Sequence, residues 1–175
     1  MAQYEQKYIR ADLLYDAGQE ERPALWLFFA GNFLLEHGYE KRAITAFELA
    51  LERKPEQPDY LNNLSWLLLT SKDSGLRRPQ DALVLAKRAA ELKPSGYILD
   101  TLATAWWANG YAEQAIATEK QALTTDPGKA AYYQSQIKRF QTSEYTRELD
   151  MTATDDIPKR PKQMEEKKDA LSRRT

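Results

Sequence analysis

The 175-residue sequence contains no cysteine and a single histidine, His37. Without cysteine the chain can form no disulfide and offers no thiolate as a nucleophile or metal ligand. One histidine leaves few groups that titrate near neutral pH, so the sequence is poorly equipped for acid–base catalysis. We therefore expect a protein without enzymatic activity. His37 is interpreted as structural, because it precedes Gly38 at the predicted end of a helix, where an imidazole can bond unpaired carbonyl groups.

Phosphate-binding loops and clustered metal ligands are also missing from the sequence. Its seven glycines occur singly, whereas nucleotide-binding loops place several glycines within a few residues of one another. Metal sites bring several histidine, cysteine or carboxylate groups together, and here the acidic residues are spread along predicted solvent-facing positions. The sequence therefore predicts no catalytic residue, no cofactor site and no metal site.

An excess of one charge and long apolar runs are equally lacking. The chain has 25 basic and 26 acidic residues, a formal net charge of −1, so its net field favours neither nucleic acid nor an anionic membrane. Its most apolar run, residues 25–35, has only about a third to a half of the roughly 20 residues that a membrane-spanning helix needs. We expect no nucleic-acid partner, no direct membrane insertion and a cytoplasmic protein. The alternative is a periplasmic or membrane-tethered protein from which an N-terminal segment was removed.

What the sequence does contain is an internal repeat. Residues 38–55 (GYEKRAITAFELALERKP) and 110–127 (GYAEQAIATEKQALTTDP) agree at Gly, Tyr, Ala-Ile, Ala-Leu and Pro. Between them, residues 78–94 (RPQDALVLAKRAAELKP) repeat the second half of the pattern. The final prolines lie 39 and 33 residues apart (94 − 55 and 127 − 94). A unit of about 34 residues with one insertion of about five explains both intervals.

Each unit predicts a pair of helices. Its second half carries an apolar stripe of helical period, which in the first unit consists of Ala43, Ile44, Phe47, Ala50 and Leu51. Proline cannot continue a helix interior, so the prolines at 55, 94 and 127 mark where one pair ends. Glycines 38 and 110 lie where a tight turn between two helices is expected. We therefore predict an all-α fold, an α-α superhelix of about three helix-turn-helix repeats.

With these features the chain resembles the tetratricopeptide repeat (TPR) family, and its wording is similar to bacterial members. The family pattern has a small residue at position 8, glycine at 15, alanine at 20, an aromatic residue at 24, alanine at 27 and proline at 32. Residues 24–57 match it with Gly31, Gly38, Ala43, Phe47, Ala50 and Pro55. Residues 96–129 match it with Ala103, Gly110, Ala115, Ala122 and Pro127, but have Glu119 at the aromatic position. Residues 58–95 depart most, because residues 71–79 lengthen the turn and Ala86 takes the aromatic position.

The flanks of the repeats divide into three further segments. Residues 1–23 are predicted to hold an N-terminal capping helix over residues 4–17, with Tyr8, Ala11, Leu14 and Tyr15 on one side. Residues 130–149 are predicted to form a C-terminal capping helix, which a helical array needs to cover its last apolar face. Residues 150–175 have few large apolar side chains and are predicted to be a flexible charged tail.

The resemblance implies a scaffold or adaptor that binds a peptide or helix of a partner protein in a concave groove, lined by the first helix of each pair. The partner-binding residues that it implies are Phe28, Asn32, Asn62, Asn63, Trp66, Asp100, Thr104 and Trp107. Aromatic side chains beside amides suit a mixed apolar segment. Some family members clamp a C-terminal carboxylate with cationic residues, which are absent from the equivalent positions here, so that ligand is not expected.

Several alternatives stay open at this stage. Aromatic residues at helical spacing usually fill a core, which is a second interpretation of Trp26, Phe29, Trp66 and Trp106. The module is alternatively a homo-oligomer, or a soluble regulatory domain of a larger membrane or secretion-associated protein. The terminal segments of the chain are also candidates to fill the groove.

Overall fold

A computed structural model describes residues 22–142, which form seven α-helices joined by short turns. No strand occurs within that range. The helices are α1 (Arg22–Glu36), α2 (Glu40–Arg53), α3 (Pro58–Thr70), α4 (Pro79–Leu92), α5 (Gly96–Ala108), α6 (Ala112–Thr125) and α7 (Ala130–Thr142). Two 3₁₀ turns, Ser74–Leu76 and Pro127–Lys129, precede α4 and α7.

The helices pack against their neighbours in sequence order. The most extensive contacts join α1 with α2, α3 with α4 and α5 with α6, so that the chain forms three helix hairpins in succession. α7 then packs against α6. The prediction of an all-α helical repeat is therefore confirmed.

Two of the hairpin turns have the same geometry. Gly38 and Gly110 have φ angles of +81° and +84°, which side chains with a Cβ rarely adopt. After α1, the Tyr39 N–H donates to the Leu34 carbonyl at 2.8 Å and the Gly38 N–H donates to the Leu35 carbonyl at 3.0 Å. This pair of bonds is a Schellman motif, which satisfies carbonyls that the helix end would leave open. The predicted role of both glycines in tight turns is confirmed.

The middle hairpin has the longer turn that its sequence predicts. Residues 71–78 separate α3 from α4, and the 3₁₀ turn lies among them. The buried Arg77 anchors this turn, because its Nε donates to the Ser71 carbonyl at 2.7 Å. The Ser71 hydroxyl donates in turn to Glu40 Oε2 at 2.6 Å, which ties the turn to the start of α2.

The core lies along the repeated small and apolar positions. Ala43, Ile44, Phe47 and Ala50 are buried, as their stripe predicts, and Leu51 is half-buried. The small residue that the pattern places in α1 is needed for a direct reason. A Cβ at Gly31 would lie 2.5 Å from Cε1 of the Phe47 ring, so that only glycine lets the ring pack against the α1 backbone.

Several predicted segments lie outside the described residues. These are the N-terminal capping helix of residues 1–21, the last part of the C-terminal capping segment beyond residue 142, and the charged tail. Between residues 22 and 142, no helix combines the length and apolar character required to cross a membrane.

Candidate protein-interaction face

The first helix of each hairpin carries the eight residues implied as partner-binding, and the structure divides them into two groups. Phe28, Asn32, Asn63 and Trp66, in α1 and α3, are partly exposed. Asn62, Asp100, Thr104 and Trp107, in α3 and α5, are buried. Only the first group can meet a partner without a rearrangement of the fold, and we call these four residues the first-helix face.

The predicted accessibility of Trp107 is wrong. Its side chain is 3% exposed, because α7 covers it. The ring centroids of Trp107 and Phe140 lie 5.6 Å apart, and the Arg139 guanidinium lies 4.6 Å from the Trp107 ring centroid on the same side of the chain. In the third hairpin the expected groove position is therefore occupied by the helix that follows it.

The first-helix face is built by contacts between α1 and α3. Phe28 stacks on Tyr60 with ring centroids 4.4 Å apart and an angle of 22° between the planes. Asn63 Nδ2 donates to Asn32 Oδ1 at 2.9 Å, across 31 residues of sequence. A stacked aromatic pair and a bonded amide pair thus fix the two helices together and remain partly accessible at the same face.

The amides form a directional chain. Asn62 Nδ2 donates to Asn63 Oδ1 at 3.4 Å, and Asn63 donates in turn to Asn32. At the inner end, Asn62 Oδ1 is buried without a hydrogen-bond partner within the described part of the chain. At the outer end, the Asn32 amide nitrogen makes no hydrogen bond to a described residue. The chain therefore presents donor hydrogens to the outside, where a partner's carbonyl oxygen could accept them.

Next to this face lies a polar cluster that joins α3 to α5. The Tyr97 hydroxyl donates to Asp59 Oδ1 at 2.5 Å, and Lys93 Nζ donates to the Tyr97 hydroxyl at 2.9 Å. Burial, and then the hydrogen bond to Asp59, raises the pKa of Tyr97. The hydrogen bond to Tyr97 raises the pKa of Lys93. Because the lysine is bound to groups of its own chain, the cluster is suited to holding α5 on α3 and less suited to clamping an anionic ligand.

Two carboxyl groups lie inside the third hairpin, which the sequence interpretation missed. Glu119 in α6 is 0% exposed, and Asp100 in α5 is also buried. Neither carboxylate oxygen of Glu119 has a hydrogen-bond partner by geometry within residues 22–142. Burial, and then the charge of Asp100, raises the pKa of Glu119 far above its usual range. The expectation that acidic residues occupy solvent faces is corrected here; glutamate at an otherwise aromatic repeat position was the signal.

A second apolar surface lies on α1 itself. Trp26, Phe29 and Phe33 are 53%, 48% and 50% exposed, and their spacing places them along one side of the helix. In the described part of the chain, Trp26 and Phe29 therefore do not fill the core, contrary to the second interpretation given above. Trp66 and Trp106 are half-buried. We call Trp26, Phe29 and Phe33 the α1 aromatic stripe.

The single histidine has the structural contact that its position predicts. His37 Nδ1 donates to the Phe33 carbonyl at 2.8 Å, beyond the end of α1. Within residues 22–142, no three histidine, cysteine or carboxylate side chains are grouped so as to hold a metal ion. With this geometry in hand, comparison with protein-family models and with curated proteins finds no match to the chain. Its function is therefore argued from the residues themselves.

Proposed function

We propose that this chain is a TPR-type scaffold or adaptor, which performs no chemistry and binds a segment of another protein on the first-helix face. The repeat spacing and the three successive hairpins support the TPR assignment. The binding surface that we propose is smaller than the one expected from the resemblance, because α7 covers the first helix of the third hairpin.

The observation that carries the proposal is the pairing of an aromatic stack with an outward-facing amide. The Phe28–Tyr60 stack offers flat apolar contact area, and Asn32 offers amide hydrogens beside it. Rigid aromatic anchors next to hydrogen-bond donors are typical of surfaces that recognise a peptide. Because the stack and the amide pair are already formed in the free protein, their ordering adds little to the cost of binding.

The chemistry of the face also restricts the ligand. The residues of the face are uncharged, and the nearby Lys93 is bonded to Tyr97 and lies 3.7 Å from Asp59. A terminal carboxylate would find no free cation there to form charge-assisted bonds. We therefore propose an apolar segment, extended or helical, whose backbone carbonyl accepts a hydrogen bond from Asn32.

A peptide selection tests this proposal without knowledge of the natural partner. A random-peptide display library is panned against the wild-type protein, and the recovered peptides are measured against Trp66→Ala and Trp106→Ala. The two tryptophans are both half-buried, but only Trp66 belongs to the first-helix face. We expect apolar peptides whose affinity falls at least about tenfold in Trp66→Ala and changes little in Trp106→Ala. Recovery of no peptide, or equal binding to both variants, would count against the proposal.

A further inference from the structure

The α1 aromatic stripe is exposed at positions that are covered in the other two hairpins. The residues equivalent to Trp26, Phe29 and Phe33 lie 34 residues further on in α3 and 72 residues further on in α5. They are Tyr60, Asn63 and Leu67 in α3, and Ile98, Thr101 and Ala105 in α5. All six are buried except Asn63, which is half-buried.

The cover in those two hairpins comes from the second helix of the preceding hairpin. Ala50 of α2 shares an apolar cluster with Tyr60 of α3. In the same way, Ala89 of α4 shares a cluster with Ile98 of α5. α1 is the first described helix, so no described helix occupies the corresponding place against Trp26. Three large aromatic side chains on one helix face form a surface of the kind that another element usually covers.

The chain has a segment of the right length and pattern immediately before α1. Residues 4–17 place Tyr8, Ala11, Leu14 and Tyr15 on one side at helical spacing. In α2 the residues Ile44, Phe47, Ala50 and Leu51 have the same spacing. Residues 18–21 would then join this segment to α1 with four residues, the same number that joins α2 to α3 at residues 54–57.

We propose that the α1 aromatic stripe is the seat of the chain's own residues 4–17, packed there as the second helix of a preceding repeat half. The stripe is then an internal contact that closes the N-terminal end of the array, as the terminal elements of helical arrays do. This inference concerns a surface distinct from the first-helix face and does not depend on the proposed function. It also requires that the stripe be unavailable to partners in the full chain.

The absence of native cysteine makes the test direct, because an engineered thiol is the only one in the protein. Phe29→Cys places a thiol in the middle of the stripe, and Val84→Cys places one at a side chain of α4 that is 69% exposed. Each full-length variant reacts with a thiol reagent at neutral pH, and the labelling rate reports access to the thiol. If the docked state is populated about ten to one, Phe29→Cys labels about tenfold more slowly than Val84→Cys.

Adjacent leucines supply a matched pair for the segment. On a helix over residues 4–17, Leu14 lies on the side of Tyr8 and Ala11, whereas Leu13 lies on the opposite side. We expect Leu14→Asp to raise the labelling rate of Phe29→Cys to that of Val84→Cys, and Leu13→Asp to leave it low. Circular dichroism of each variant verifies that the described helices remain folded.

The remaining outcomes would overturn the inference. Rapid labelling of Phe29→Cys in the otherwise wild-type chain would show an open stripe. Equal effects of Leu13→Asp and Leu14→Asp would show that the predicted face of the segment is not what covers it. Protection that disappears on dilution would assign the cover to a second copy of the chain.

Discussion

Tyr132 of α7 donates its hydroxyl to the buried carboxylate of Asp100, with distances of 3.1 and 3.0 Å to the two oxygens. Asp100 also raises the pKa of Glu119, although burial of Glu119 is the larger cause. The last helix is thus attached to the third hairpin at a site that holds two acidic groups away from water. Because a buried carboxyl group is most stable when it is protonated, this attachment should depend on pH.

The first prediction concerns that pH dependence. A raised pKa means that Glu119 keeps its proton in the folded state at pH values where the unfolded chain has lost it. The stabilisation is complete below the ordinary pKa of 4.5 and is lost as the pH rises toward the folded pKa. We expect the free energy of unfolding to decrease as the pH rises from about 5 to 9, with a slope of at most about 1.4 kcal/mol per pH unit.

Glu119→Gln isolates this effect, since glutamine imitates the protonated carboxyl group without titrating. Urea unfolding between pH 5 and 9 should give a flatter dependence for this variant and a higher midpoint at alkaline pH. Glu113→Gln, at an exposed position of the same helix, is the matched control and should follow the wild type. A wild-type slope that persists in Glu119→Gln would show that other groups cause it.

A second prediction concerns the contact between Gly31 and Phe47. An alanine Cβ at position 31 would lie 2.5 Å from the Phe47 ring, so Gly31→Ala should destabilise the protein by about 1–3 kcal/mol. Phe47→Leu removes the ring, and the two substitutions together should cost less than the sum of their separate effects. Denaturant unfolding measures this cycle. Gly128→Ala is the control, because its Cβ would meet ordinary contact at 3.5 Å; additive effects would contradict the account.

A third prediction follows from the position of Trp107 beneath Phe140. Trp107→Ala removes a buried aromatic side chain, so we expect a loss of about 3–5 kcal/mol of stability. Trp106 is half-buried and lies 5.4 Å from the Tyr111 ring, and its replacement by alanine should cost less. Thermal unfolding compares the two variants. A Trp107→Ala protein as stable as the wild type would show that α7 does not cover this residue in solution.

The helical repeat was predictable from sequence because it depends on local spacing. Alanine and aromatic residues at helical intervals identify the buried side of α2, and glycine at positions 38 and 110 identifies turns that require positive φ. The longer turn of residues 71–78 was visible as an insertion. These features are determined by residues close to one another in the chain, so the pattern carries them directly.

Accessibility of the candidate site was less predictable, because it depends on which helix lies opposite. Trp107 occupies the same repeat position as Leu35, yet α7 covers it through Phe140. Trp26 has the opposite history, since its pattern fits a core residue but no described helix lies against it. For Glu119, the departure from the aromatic residue was visible in the sequence, whereas its burial beside Asp100 was not.

The most direct test of the central claim is an NMR titration of the wild-type protein with one peptide from the selection. The chain has four tryptophans, whose indole N–H signals are assigned with single Trp→Phe variants. We predict that the Trp66 signal shifts progressively while those of Trp106 and Trp107 stay in place, because only Trp66 belongs to the first-helix face. Shifts of Trp106 or Trp107 with an unchanged Trp66 signal would contradict the claim and place the binding surface elsewhere.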